Sequence, residues 1–232
     1  MTATTERAGA WPFSRIGGFA ALGFALVIVG ANLIIEPAGM PAVGADIDEV
    51  NTFFTTKAGL AEFAMALTPI AWVCATVFGA AAVAVLWPRE RAAGSAWSLL
   101  GFAGLLLQNA TFAGIVAIRL ALSATTDHTA TATAGLWAFH NALFALNGTF
   151  LATALLGLSL GGLHTGLVRR WHAILGLTSA TGLFISALLT PPIIDHAGPL
   201  ALLSLVSWLL WVVWLVTYGL TLLRLRHAPI PA

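Results

Sequence analysis

Six apolar stretches alternate with short polar connections along the chain. They fall near residues 16–35, 58–86, 97–121, 134–162, 172–190 and 199–223. A helix needs about 20 mainly apolar residues to cross the roughly 30 Å hydrocarbon layer of a bilayer. The pattern therefore predicts an all-α polytopic membrane protein, with one six-helix transmembrane domain over residues 1–232. The first stretch exceeds the usual apolar core of a secretory signal, about 7–15 residues, so it is expected to remain as a span. Pro69 lies inside the second stretch and should kink it. The longest connection, 37–57, holds Pro37, Gly39, Pro41 and Gly44 before an acidic run. It reads as a short exposed loop with a helical turn at 46–54.

Composition sharpens this. Hydrophobic residues make up 59% of the chain and charged residues 8%, against about 25% charged in a soluble domain. Mean hydropathy is +0.93. A net charge of +1 excludes the concentrated basic surface that nucleic acid requires. Cys74 is the single cysteine, so no intrachain disulfide and no cysteine-based metal site is expected.

The charges give an orientation. Arg7, Arg15, Arg89, Arg91, Arg169, Arg170, Arg224 and Arg226 all fall on one side of the alternating pattern. The remaining connections hold Asp46, Asp48, Glu49, Asp127 and Asp195, with Lys57 at the edge of one. Basic residues of short loops stay cytoplasmic, which predicts both termini inside a cell membrane. Trp11, Trp87, Trp97 and Trp171 then mark the inner interface and Trp137 the outer one.

Small residues let membrane helices approach closely. Gly157 with Gly161, and Ala75 with Gly79, should face neighbouring helices. Trp208, Trp211 and Trp214 share a face of the last helix and read as packing residues.

Polar groups inside a membrane need a partner or a wet cavity. Ordered by depth, they gather in the outer half: Asn32, Glu36, Glu62, Gln108, Asn109, Arg119, His140, Asn141 and Asn147. Gln108 and Arg119 are eleven residues apart, about three turns, and share a face. His140 and Asn147, seven apart, do the same. The inner half shows almost no ionisable residue within its helices. The expected arrangement is an outward-opening polar cavity in which Arg119 pairs with Glu62 or Glu36. Such a cavity would bind a small or lipid-like molecule, in a transport, sensing or accessory role. A buried ion pair that merely fixes helix packing is the plainer reading of the same residues.

Two other readings stay open. One is a membrane-embedded isomerase, cyclase or hydrolase acting on a hydrophobic substrate, with Glu62 or His140 as general acid or base. The other is a structural subunit. The expected partners are the lipid bilayer and a small hydrophobic ligand, with a homo-oligomer or a larger membrane complex left open and no nucleic acid. No cofactor is expected: His140 is the single histidine plainly within a helix, and bis-histidine haem needs two at matched depth. Asp127-His128 and Asp195-His196 are too local to converge on a metal. Nucleotide-binding and zinc-protease motifs are missing from the chain.

The stretch "NTFFTTKAGLAEFAMALTPIAW" running to "AVAVLWPRERAAG" resembles the second helix of a bacterial six-helix group, domain of unknown function 4386. "LWAFHNALFALNGTFLATALLGLSLGGLHTGLVRRWHAILGL" is similar to its fourth and fifth helices, and "SRIGGFAALGFALVIVGANLI" to its first. The resemblance spans nearly the whole chain and puts Glu62 where that group often carries an acid. The third helix departs from it, with Gln108-Asn109 well before Arg119. The resemblance implies a six-helix fold and brings no activity.

Overall fold

A computed structural model describes residues 11–124, 130–191 and 200–225. The described elements are helices: α1 (Phe13–Ile35), α2 (Ile47–Thr56), α3 (Ala58–Ala66), α4 (Thr68–Ala92), α5 (Trp97–Ala124), α6 (Ala130–His164), α7 (Arg170–Leu188) and α8 (Leu200–Leu223). Six spans are long and apolar enough to cross a membrane: Phe13–Ile35, Ala58–Ala92, Trp97–Ala124, Thr131–His164, Arg170–Leu188 and Leu202–Leu223. The chain is thus a multi-pass integral membrane protein, close to the predicted pattern.

Each span packs on the one before and the one after it, and α8 returns to α1. The six therefore close a sequential ring. Its centre is filled. Phe24, Phe78, Leu105, Leu155, Trp214 and Tyr218 are almost completely buried there. The predicted tryptophan face of α8 is core: Trp211 packs on Phe24, and Trp214 on Phe78. Large apolar side chains such as Leu26 (75% exposed), Leu33 (71%) and Leu188 (65%) point away from the bundle, as a lipid-facing surface requires.

Close approach comes from glycine. A Cβ on Gly157 would lie 2.3 Å from the Gly101 nitrogen and 2.6 Å from the Trp97 carbonyl oxygen, so α5 and α6 touch backbone to backbone. Gly104 meets Ala154 and Phe150 in the same way. The expected role of Gly157 is what the fold shows.

The second span breaks where Pro69 demands it. Proline has no N–H to give the carbonyl four residues back. That carbonyl, on Met65, instead accepts from Thr68 Oγ1 at 2.6 Å. The break separates α3 from α4. The 37–57 connection contains more order than one turn: α2 is ten residues long, and its N-cap Asp46 accepts from the Asp48 N–H at 2.8 Å. Asp48 and Glu49 in its first turn complement the helix dipole. Val50, Phe53 and Phe54 on its inner face cap a second apolar core with Ile35, Leu122 and Trp137.

Packing also gathers charge. Gly18 abuts Leu223, Trp97 meets His164 edge-on, and Arg89 donates to the Thr165 carbonyl. These contacts bring Arg15, Arg89, Arg91, Arg169, Arg170 and Arg224 to one end, here the basic face. Asp46, Asp48, Glu49 and Lys57 lie at the other, the acidic face. Arg7, Arg226, Asp127, His128, Asp195 and His196 lie outside the described residues.

Candidate functional site

Asn109 lies near the middle of α5 and joins it to α4. Its Nδ2 donates to the Trp72 carbonyl oxygen at 3.2 Å and to Thr76 Oγ1 at 3.3 Å. Thr76 Oγ1 itself donates to the Trp72 carbonyl at 2.8 Å. That hydroxyl can therefore only accept from Asn109, which fixes the amide with its nitrogen toward α4. Asn109 Oδ1 is left buried and without a donor, and so is the Trp72 indole N–H without an acceptor. Both residues line a groove of about 400 Å³ between α4 and α5, with Val73, Thr76, Val77, Leu106 and Ala110. Val73 is 64% exposed, so the groove opens sideways into the bilayer.

A second polar group sits toward the acidic face, between α5 and α6. Arg119 Nε donates to His140 Nε2 at 2.9 Å. His140 Nδ1 lies 3.2 Å from Asn141 Oδ1. The arginine can only donate, so Nε2 must be the acceptor. The imidazole is then neutral, its proton is on Nδ1, and Asn141 turns its oxygen to receive it. The ring is stacked on Trp137 at 4.3 Å between centroids and 7° between planes, with Phe144 on its other side at 5.8 Å. The guanidinium carbon lies 5.9 Å from the Phe144 ring centre.

The expected pairing of Arg119 with Glu62 or Glu36 is not formed, and this corrects the sequence reading. Glu62 is exposed on α3. Glu36 is also exposed, at the end of α1, and makes no ion pair with Arg119. An acid at a membrane face gains more from water than from pursuing a partner inside. Gln108 and Asn147 are buried, and their side-chain oxygens have no partner. Asn32 returns its amide to the Ile28 carbonyl of its own helix. The predicted set therefore divides into the Asn109 groove, the Arg119–His140–Asn141 chain, Asn32 bound within its own helix, two isolated amides and two exposed acids. Trp137, assigned to the outer interface by its position, is 3% exposed and belongs to the bundle interior.

The basic half holds ionisable groups that pattern reading missed. Glu90 is 1% exposed. Its carboxylate accepts from the Ser98 N–H at 3.0 Å and from Ser98 Oγ, at the start of α5. The chain returns there because Gly94 takes φ +66°, closing α4 with Gly94 N–H bound to the Arg91 carbonyl and Ser95 N–H to that of Glu90. An acid beside a Gly-Ser turn at a helix start was the available signal. His172, near the start of α7, is buried, with Nε2 3.0 Å from the Trp214 carbonyl oxygen. Among the described residues no group of three or more His, Cys, Asp or Glu converges as a metal site.

No protein-family model, curated protein or solved structure matches this chain.

Proposed function

We propose that this protein binds an uncharged lipid-like molecule from within the bilayer, in the groove between α4 and α5. The observation that carries the reading is Asn109 Oδ1, buried in a groove-lining residue with no donor to satisfy it. An acceptor left so costs about 1–3 kcal/mol. A ligand hydroxyl or amide N–H would recover that once a turn of the Asn109 side chain brings Oδ1 to the groove wall, while its apolar part lies against Val73, Val77 and Leu106. A volume of about 400 Å³ falls within the usual range of ligand sites, roughly 300–1,000 Å³. The lining contains an amide, a hydroxyl and an indole but no carboxylate, imidazole or thiol, which favours binding over proton-transfer chemistry. We place the basic face in the cytoplasm of a bacterial inner membrane, following its arginines. The resemblance to the six-helix group belongs to the same proposal.

Native mass spectrometry of the purified protein tests it. The parent should carry a co-purifying hydrophobic adduct. Val73→Trp, which fills the groove from its lipid side, should lose it, and Asn109→Leu should reduce it. An adduct retained equally by both variants would refute the groove as the site.

A further inference from the structure

Arg119 has more donors than this fold uses. A guanidinium has five N–H groups. One, on Nε, is committed to His140. The terminal nitrogens meet no acceptor among the described residues, and no acid there forms an ion pair with them. They are also not sealed away, because Arg119 is half-buried rather than enclosed. A charge in this setting normally finds a carboxylate or a phosphate.

The surroundings look built to aim this side chain, not merely to tolerate it. Nε is the one nitrogen whose use leaves the two terminal NH₂ groups free as a pair. That pair is the edge that meets a carboxylate or phosphate with two parallel hydrogen bonds. His140 holds Nε, Asn141 fixes the tautomer of His140, and Trp137 with Phe144 clamps the ring from both faces. These apolar walls lower the local dielectric, which strengthens any charge placed against the guanidinium. Arg119 is five residues from the end of α5, so about 7.5 Å along the helix axis. Asn109 is ten residues away, about 15 Å deeper and on another side of the helix. This site is thus separate from the groove and does not depend on that reading.

We infer that Arg119, aimed by the His140–Asn141 chain, binds an oxyanion, a carboxylate or phosphate presented near the acidic face. The group can come from an amphiphile headgroup or from a free anion. Glu36, exposed and next to Ile35, which packs in one apolar core with Ile118 and Trp137, is the internal competitor.

The protein in dodecyl maltoside, a detergent without an anionic group, titrated with decanoate or with inorganic phosphate, provides the test. Binding is read as the rise in thermal midpoint with concentration. The parent should respond to decanoate, and Arg119→Gln should not. Arg119→Lys keeps the charge but loses the fork, and should weaken the response by about tenfold or more. His140→Phe should weaken it while keeping the aromatic stack. Glu36→Gln should strengthen it by removing the competitor. A response to decanoate without one to phosphate assigns the site to an amphiphile; a response to both assigns it to the anion as such. Equal responses in the parent and Arg119→Gln would overturn the inference. So would a Glu36→Gln protein that is destabilised and unresponsive, because Glu36 would then be the structural counter-ion. Arg119→Lys and Glu36→Gln keep the test decisive if Arg119→Gln fails to fold.

Discussion

The Glu90 carboxyl is held inside the bundle by two donors from one residue, Ser98, which meet it at the start of a helix. The positive end of the α5 dipole adds to that attraction. Gln at this position keeps one acceptor but turns an NH₂ toward donors, and Leu keeps none. Glu90→Gln and Glu90→Leu should each lower stability by about 1–3 kcal/mol or more. Ser98→Ala removes the hydroxyl but keeps the N–H bond and should cost less. Tryptophan fluorescence during thermal unfolding in detergent would report the order. A Glu90→Leu protein as stable as the parent would show that the carboxylate does not hold α5. This residue was hidden in the sequence because it stands between Arg89 and Arg91, where the charge pattern reads as loop. The intramembrane arginine was legible, but its partner was not. Charge counting proposes an acid for every arginine, whereas here a neutral ring with an available lone pair took one donor.

At the scale of elements, helix positions followed directly from the apolar runs, since a bilayer leaves a backbone few alternatives to intrahelical bonding. Their contacts followed where glycine spacing was specific. Gly157→Ala and Gly104→Ala would each press a methyl into facing backbone, and overpacking of this kind typically costs about 1–3 kcal/mol. Gly157→Leu should be worse. Gly135, also in α6, has open space where its Cβ would stand; Gly135→Ala should be neutral or stabilising by about 0.5–1 kcal/mol. Thermal midpoints for the set would separate the seam from the helix surface, and a uniform response would contradict the backbone contact. The extent of α2 was less legible. Its helix depends on Phe53 and Phe54 finding Trp137 and the end of α5, contacts far apart in the chain. The groove was not legible either. Asn109 was visible as an intramembrane amide, but which half of it would remain unsatisfied depends on where α4 places the Trp72 carbonyl.

For the whole molecule, orientation decides what each site can meet. Six crossings closed into a ring put six of the seven described arginines at one end, Arg119 being the exception, and positive residues of short loops resist transfer across the membrane. If the basic face is cytoplasmic, the Arg119 site faces the outside of the cell and the Glu90 cap faces the interior. Cys74 is the single cysteine, so Cys74→Ala gives a clean background for labelling. Thr52 is exposed on α2 at the acidic face, and Ala93 is exposed beyond α4 at the basic one. Neither contributes to a core, so a cysteine at either position should leave the fold intact. A membrane-impermeant maleimide applied to intact cells should label Thr52→Cys at once and Ala93→Cys after permeabilisation. The opposite order would invert the orientation and move the oxyanion site to the cytoplasm, where its source would be metabolic anions or inner-leaflet lipid. Immediate labelling of both would mean that α4 does not cross, and the sequential ring would have to be abandoned. The arginine asymmetry predicts the first result, because reversing the protein would require six described arginines to cross the hydrocarbon layer in place of a single lysine and a set of acids.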